Sequence, residues 1–175
     1  MKATVILAVA VLLIVAFALV RRSQQRRALE NDLQQGMVEL ADAAVRLAAE
    51  QHVALDYSVE SVEQVERLLG ALHDRHAKAP LPLQERRDLA VRYGAYIGEV
   101  IRRKWSGQWS RDHAVGGEGS FPIRWRTHDS FPIGWCFKRI LNGPEDNVWY
   151  KLQVLSRDEP NDPPTDFPTA GGKGH

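Results

Sequence analysis

The sequence predicts an α+β protein: an N-terminal transmembrane helix followed by a small domain of about four to five helices and a short antiparallel hairpin. Three observations support this. An uncharged apolar run occupies residues 3–20. Apolar residues then recur at three- and four-residue spacing over several stretches of the chain, as they do on amphipathic helices. A glycine-rich segment at residues 116–119 separates two stretches that are rich in strand-forming residues.

The apolar run at residues 3–20 has the composition and the length of a transmembrane helix. It holds Ala, Thr, Val, Ile, Leu and Phe, and no charged residue. As a helix it measures about 27 Å, close to the roughly 30 Å of hydrocarbon in a bilayer. The alternative is a cleaved signal peptide, with small residues for cleavage at 16–18. The length of the run and the arginines behind it favour an uncleaved anchor at residues 1–22.

Positive residues flank this run unequally. Lys2 precedes it, and four arginines follow it: Arg21, Arg22, Arg26 and Arg27. Positive flanks stay in the cytoplasm, so we expect a single-pass protein whose C-terminal domain is cytoplasmic. The lipid bilayer is its predicted partner, and these membrane-flanking arginines lie near anionic head groups.

Residues 23–36 form the predicted juxtamembrane helical linker, and residues 37–156 the domain. The helix over residues 28–50 carries an apolar stripe that faces the core or a partner helix, of which the core is the simpler choice. The stripe consists of Met37, Leu40, Ala41, Ala44, Leu47 and Ala48. A second helix begins near Ser58 to Ser61, where Ser61 fits a capping box with Gln64, and prolines mark the loop after it.

The third helix, over about residues 84–104, contains the candidate ligand-binding residues Gly94, Gly98 and Glu99. Each glycine costs about 1 kcal/mol relative to alanine, so something packs closely there. An element of the same domain is the simpler interpretation, and a ligand or partner backbone is the other. Glu99 lies among apolar neighbours, and arginines follow it three and four residues later. A structural ion pair is the simpler role, and a functional carboxylate is the alternative.

The next segment predicts a hairpin of strands within 108–115 and 122–127. The near-copies SFPIRW at 120–125 and SFPIGW at 130–135 indicate coincidence or a local duplication. Pro132 can open a short helix that ends at Gly143, and a last helix begins near Pro144. Residues 157–175 are proline-rich and poor in apolar residues, which predicts a disordered tail.

Composition and motifs exclude several function classes. The formal net charge of +1 argues against a nucleic-acid partner, and the single cysteine excludes an intramolecular disulfide. The sequence lacks a phosphate loop, a dinucleotide fingerprint, a nucleophile elbow and a zinc-protease helix. We therefore predict no cofactor, no metal and no catalytic residue, and lean against an enzyme.

Isolated residues with chemical potential have simpler interpretations. His73 and His76 are too few ligands for a metal site, so solvated helix-end residues are favoured. Cys136 could act as a nucleophile with His128, but a buried small hydrophobe fits its aromatic neighbours better. Most of the five tryptophans are expected in the core; for Trp105 and Trp109, which lie next to basic residues, an exposed recognition patch is the alternative, and the sequence leaves both open.

Three blocks resemble a family of small bacterial proteins of unknown function. They are LDYS at residues 55–58, YGAYIGEVIRR at 93–103 and KRILNG at 138–143. The resemblance extends over residues 40–155 and implies a bacterial origin, hence the inner membrane, and an α+β domain. The family has no assigned activity or catalytic residues, so the resemblance implies no site.

Three functions are compatible with these features. The first is a non-enzymatic binding or scaffolding module at the inner face of the membrane, with an unidentified protein partner. The second is a small-ligand binder or enzyme that uses a pocket centred on Glu99. The third, suggested by size and family type alone, is a neutralising partner of a bacterial toxin.

Overall fold

A computed structural model describes the backbone of residues 2–157, and the side chains from residue 17 onward except that of Arg26. The predicted tail at 157–175 lies outside the described residues from 158 onward. Within the described part, five α-helices and three short strands form a mixed, helix-rich fold, so the α+β class is confirmed. The elements are α1 (Lys2–Ala49), α2 (Ser61–Lys78), α3 (Leu83–Trp105), β1 (Gln108–Trp109), β2 (Ile123–Trp125), β3 (His128–Ser130), α4 (Pro132–Asn142), a 3-10 turn (Pro144–Asp146) and α5 (Val148–Ser156).

α1 is one uninterrupted helix of 48 residues. It passes through Gly36 because a single glycine weakens a helix without ending it. The described side chains of residues 17–32 are exposed, and packing on the domain begins at Leu33. The side chains of residues 3–16 of the predicted anchor lie outside the described residues. Where side chains are described, no helix has the length and apolarity needed to cross a bilayer.

α3 is the central helix of the domain. Residues 93–101 are all buried, which requires packing on every side of the helix. α1 packs on one side of α3 and α4 on another, and β2 contacts it as well. α2 and α5 pack together and against α4, which completes the core. Residues 50–60 join α1 to α2 as a turn at 50–52 followed by the loop at 53–60.

The strands form one antiparallel sheet in the order β1–β2–β3. The predicted hairpin exists only in part, because β1 has just two residues. Beyond β1 the two segments pair irregularly: the N–H of Phe121 donates to Arg111 O. β3 was not predicted, since its sequence His-Asp-Ser shows no apolar alternation. Cross-strand side chains hold it instead: Trp125 Nε1 donates to Ser130 Oγ at 2.9 Å.

Of three local predictions, one needs correction. The near-copies are not equivalent, because Ile123 lies in β2 whereas the corresponding Ile133 lies in α4. Pro132 opens α4, as predicted from its fixed φ. The last helix begins later than predicted: the acidic residues after Pro144 form a 3-10 turn, and Asn147 caps α5 by accepting the Tyr150 N–H at 2.7 Å.

Candidate functional site

Glu99 lies where α1, α3 and β1 meet, and its side chain is fully buried. Oε1 accepts hydrogen bonds from Gln34 Nε2 at 2.8 Å and from Trp109 Nε1 at 3.0 Å. Oε2 accepts one from Arg102 Nε at 2.8 Å, and Arg103 Nε lies 4.0 Å away. Both oxygens therefore have donors, and these compensate the cost of removing the carboxylate from water.

The sequence indicated only part of this arrangement. Arg102 was foreseen because residues three apart share a helix face. Gln34 and Trp109 were not foreseen as partners, because they come from α1 and β1, 65 and 10 positions away along the chain. A polar residue in the packed half of α1 was the available signal for Gln34.

Gly94 and Gly98 mark the closest approaches to α3. A Cβ on Gly98 would lie 2.0 Å from Trp109 Cζ2, and one on Gly94 would lie 2.4 Å from Ile133 Cα. Real Cβ atoms do not approach so closely, so these positions admit the indole ring and the start of α4 only because they are glycine. Elements of the same domain occupy both glycine faces, which favours the simpler of the two sequence interpretations.

Tyr57, in the loop between α1 and α2, joins the same cluster. Its ring stacks on Tyr96 with centroids 4.8 Å apart, and Arg103 Cζ lies 3.4 Å from the Tyr57 ring centroid on the ring face. Its hydroxyl donates to Asp42 Oδ1 at 2.5 Å. Burial, followed by this hydrogen bond, raises the pKa of Tyr57, so the phenol stays neutral and can donate. The φ of Tyr57 is +63°, a left-handed conformation that these contacts hold.

Tyr96 extends the network toward α2. Its hydroxyl accepts the Tyr57 N–H at 2.8 Å and lies 2.5 Å from Ser61 Oγ. Ser61 Oγ donates to Ser58 O at 2.6 Å. The predicted capping box is therefore wrong, because the Ser61 hydroxyl is used by the loop and by Tyr96; the Ser61 N–H donates instead to Ser58 Oγ at 3.1 Å. Burial raises the pKa of Tyr96.

We call these groups the α1–α3 junction: Gln34, Asp42, Tyr57, Tyr96, Glu99, Arg103 and Trp109. The carboxylate of Glu99 accepts hydrogen bonds on both oxygens and is buried away from solvent. A general base has to lie within reach of a substrate proton, and Glu99 has no exposed surface in this structure. The junction instead connects α1, the 53–60 loop, α3 and β1, so it fixes the direction in which α1 leaves the domain.

A second buried ion pair was missed by the sequence analysis. Arg139 Nε on α4 donates to Glu66 Oε1 on α2 at 2.6 Å, and the N–H of Val148 donates to Glu66 Oε2 at 2.8 Å. Gly70 admits the guanidinium, since a Cβ there would lie 3.0 Å from Arg139 Nη2. The signal was Glu66 itself, a charged residue between the apolar residues of the α2 face. This pair fastens α2, α4 and α5 together.

The two histidines that the sequence singled out have structural partners. His73 Nδ1 donates to Ile140 O at 3.0 Å, since a carbonyl can only accept, and His76 Nδ1 accepts the Leu81 N–H at 2.9 Å. Both histidines therefore help to end a helix. The prediction that Cys136 is a buried small hydrophobe is confirmed, and burial raises the pKa of its thiol.

The two tryptophans of the candidate recognition patch belong to the core region. Trp109 is buried over Gly98, and Trp105 packs at the edge of the core on Trp125, with ring centroids 4.6 Å apart. Of the two alternatives that the sequence left open for these residues, the structure therefore favours the core over an exposed patch. The basic residues before them in the sequence form the last turn of α3, and we find no reason to assign them to a recognition surface.

A surface groove of about 380 Å³ lies between α3 and the start of α4. Its apolar lining includes Ala90, Val91, Ile133 and Phe137, and Arg87 also lines it. Neither Glu99 nor Gly94 nor Gly98 lines it. The groove and the predicted site are therefore separate features.

Among the arginines predicted to flank a membrane, the side chains of Arg21, Arg22 and Arg27 are described, and they are exposed on α1. The guanidinium of Arg21 lies 5.6 Å from the ring centroid of Phe17. The side chains of Lys2 and Arg26 lie outside the described residues.

Comparisons with protein-family models, with curated proteins and with solved structures return no match. The family resemblance therefore stays a prediction from the sequence. Any function has to be argued from the residues of this chain.

Proposed function

We propose that this chain is a membrane-tethered, non-enzymatic binding or scaffolding module that acts at the cytoplasmic face of a bacterial inner membrane. The uncharged run at residues 3–20 and the arginines behind it support the tether and its orientation. The observation that carries the proposal is the continuity of α1, which joins this run to the domain core without a break.

This continuity gives the tether a mechanical role. Met37, Ala41, Ala44 and Ala48 of α1 are buried in the core, and the Gln34–Glu99 hydrogen bond fixes the helix where it leaves the domain. From the last residue of the predicted anchor to the first packed residue, the helix rises about 16 Å. The domain is then held at a fixed height above the membrane, as a scaffold requires.

The polar chemistry of the domain supports binding rather than catalysis. The two buried carboxylates, Glu66 and Glu99, have their oxygens bonded to donors from neighbouring elements. The groove beside α4 is apolar, with few polar groups, which suits an apolar side chain of a protein partner. Nothing in the described residues favours a Glu99-centred ligand site or a toxin-neutralising role over this proposal.

The test is a membrane fractionation combined with a topology reporter. Full-length chain with fluorescent protein at its C-terminus should be fluorescent and should resist carbonate extraction, whereas a C-terminal alkaline phosphatase fusion should be inactive. Leu12→Arg combined with Leu13→Arg is the control, because each arginine costs about 2.5–3.5 kcal/mol at the centre of a spanning helix. That variant should shift to the soluble fraction. A full-length wild-type product in the soluble fraction, or an active phosphatase fusion, would overturn the proposal.

A further inference from the structure

α1 carries a second row of apolar residues beside the one that the core buries. The core row consists of Met37, Ala41, Ala44 and Ala48. The second row repeats in alternating steps of four and three residues, which is a seven-residue repeat; its members are Leu29, Leu33, Gly36, Leu40, Ala43 and Leu47. At 3.6 residues per turn, it lies about 90° around the helix from the core row. We call it the heptad row.

The domain leaves the heptad row partly uncovered. Leu29 is 61% exposed, and Leu33, Leu40 and Leu47 are half-buried. A Cβ on Gly36 would meet nothing within 4 Å. Gly36 therefore faces open space, in contrast to the two glycines of α3, which are covered by the domain. The row ends at Leu47, which lies outside the packed core as far as the described residues show.

The helix that carries the start of this row has no support from the domain. Apart from Arg26, whose side chain is not described, the residues from 17 to 32 are exposed on every side. Residues 23–32, which lie between the predicted anchor and the packed part of α1, would be surrounded by water on all sides, and so short a stretch adds little helix stability of its own. A partner along this helix would supply the missing contacts, and the heptad row continues into the unsupported part through Leu29.

We propose that two copies of this chain pair in parallel through their heptad rows. Leucine layers at 33, 40 and 47 would alternate with small layers at Gly36 and Ala43, where the two helix backbones approach closely. A row that faces the same row on a second copy is self-complementary, as a two-fold interface requires. The inference rests on the proposed function, because a membrane tether holds the copies parallel.

The tether also explains how a small interface could suffice. The row spans about 27 Å of helix, and its leucines beyond Leu29 are already partly covered by the domain. Because Leu29 is the only leucine of the row that is largely exposed, we expect pairing to bury less than the roughly 1,000 Å² of a stable interface between free partners. Confinement to one membrane raises the effective concentration, so pairing can occur without a large contact.

Site-specific disulfide cross-linking tests the pairing in the full-length chain. The only native thiol, Cys136, is fully buried, so the wild-type chain provides the blank. Leu29→Cys places a thiol on the heptad row. Asn31→Cys is the matched control: it is also exposed on the unsupported part of α1, but lies about 160° away around the helix. Membranes are oxidised with copper phenanthroline, and the disulfide-linked dimer is quantified on non-reducing gels.

We expect Leu29→Cys to give at least ~10-fold more dimer than Asn31→Cys, because only the row places the thiols face to face. Adding Gly36→Glu to Leu29→Cys should abolish the dimer by introducing two charges at the closest approach. The single chain tolerates this change, since the space at Gly36 is open, and circular dichroism checks its folding. Equal dimer at both positions, dimer at neither, or dimer that survives Gly36→Glu would overturn the pairing. Carbonate extraction of the same membranes tests the tether separately, and a release of the chain overturns the tether whatever the cross-link shows.

Discussion

Two carboxylates inside the domain show how single residues join distant segments. Glu99 accepts donors from α1, α3 and β1, and Glu66 accepts donors from α4 and α5. Burying a carboxylate is costly, and each oxygen that lost its donor would leave that cost uncompensated. These two side chains therefore require their partner segments to be in place.

Glu99→Gln tests this requirement, because it keeps the shape of the side chain and removes its charge. The NH₂ group of the new glutamine must face either Arg102 or the pair Gln34 and Trp109, all of which are donors themselves. We therefore expect a loss of about 1–3 kcal/mol in the free energy of unfolding. Unfolding in urea, followed by tryptophan fluorescence, measures it. The matched control is Glu63→Gln, whose pair with Arg67 is exposed and should be worth less than ~1 kcal/mol. Equal losses for the two variants would contradict the argument.

Among the elements, α3 is the one against which the others are arranged. Its buried stretch 93–101 receives α1, the start of α4 and the indole of Trp109. The two glycines of this helix permit the last two of these contacts, at a cost in helix propensity. Gly36 of α1 has the same propensity cost but no close neighbour.

The same substitution should therefore have opposite effects in the two helices. Gly98→Ala forces Trp109 to move, because the new Cβ would lie 2.0 Å from its ring, and we expect a loss of about 1–3 kcal/mol. Gly36→Ala meets nothing within 4 Å, and should gain up to ~1 kcal/mol from helix propensity. Thermal unfolding of the two variants beside the wild type measures both effects. A neutral Gly98→Ala would show that the indole does not lie against α3.

At the scale of the whole molecule, one core unites the packed half of α1 with the four later helices and with strands β1 and β2. Cys136 lies inside it with no exposed surface. Its thiol has a raised pKa because of burial, so little thiolate forms even at mildly alkaline pH. A reagent can reach this thiol only when the core opens.

Alkylation of Cys136 should therefore report on the opening of the core as a whole. We expect iodoacetamide at pH 8 to modify the native chain at least ~100-fold more slowly than the chain in denaturant. The exposed thiol of the Asn31→Cys variant is the internal control and should react at the rate of a free thiol. Mass spectrometry of the digested protein gives both rates from one sample. Comparable rates at the two positions would mean that the core around α4 is open.

The sequence by itself determined the fold class, the extent of most helices and the buried state of Cys136. These features depend on local rules: apolar periodicity, proline at the start of α4, and the cost of exposing apolar side chains. The length of α1 was also within reach, because no proline interrupts residues 2–49.

Only the tertiary structure decided which residues meet. Gln34 and Trp109 reach Glu99, Arg139 reaches Glu66, and Ser61 bonds to Tyr96 instead of capping α2. β3 likewise forms through cross-strand side chains rather than through any propensity of His-Asp-Ser. The physical reason is common to all of them: a polar side chain takes the partner that folding brings within about 3 Å, and distance along the chain does not encode that partner.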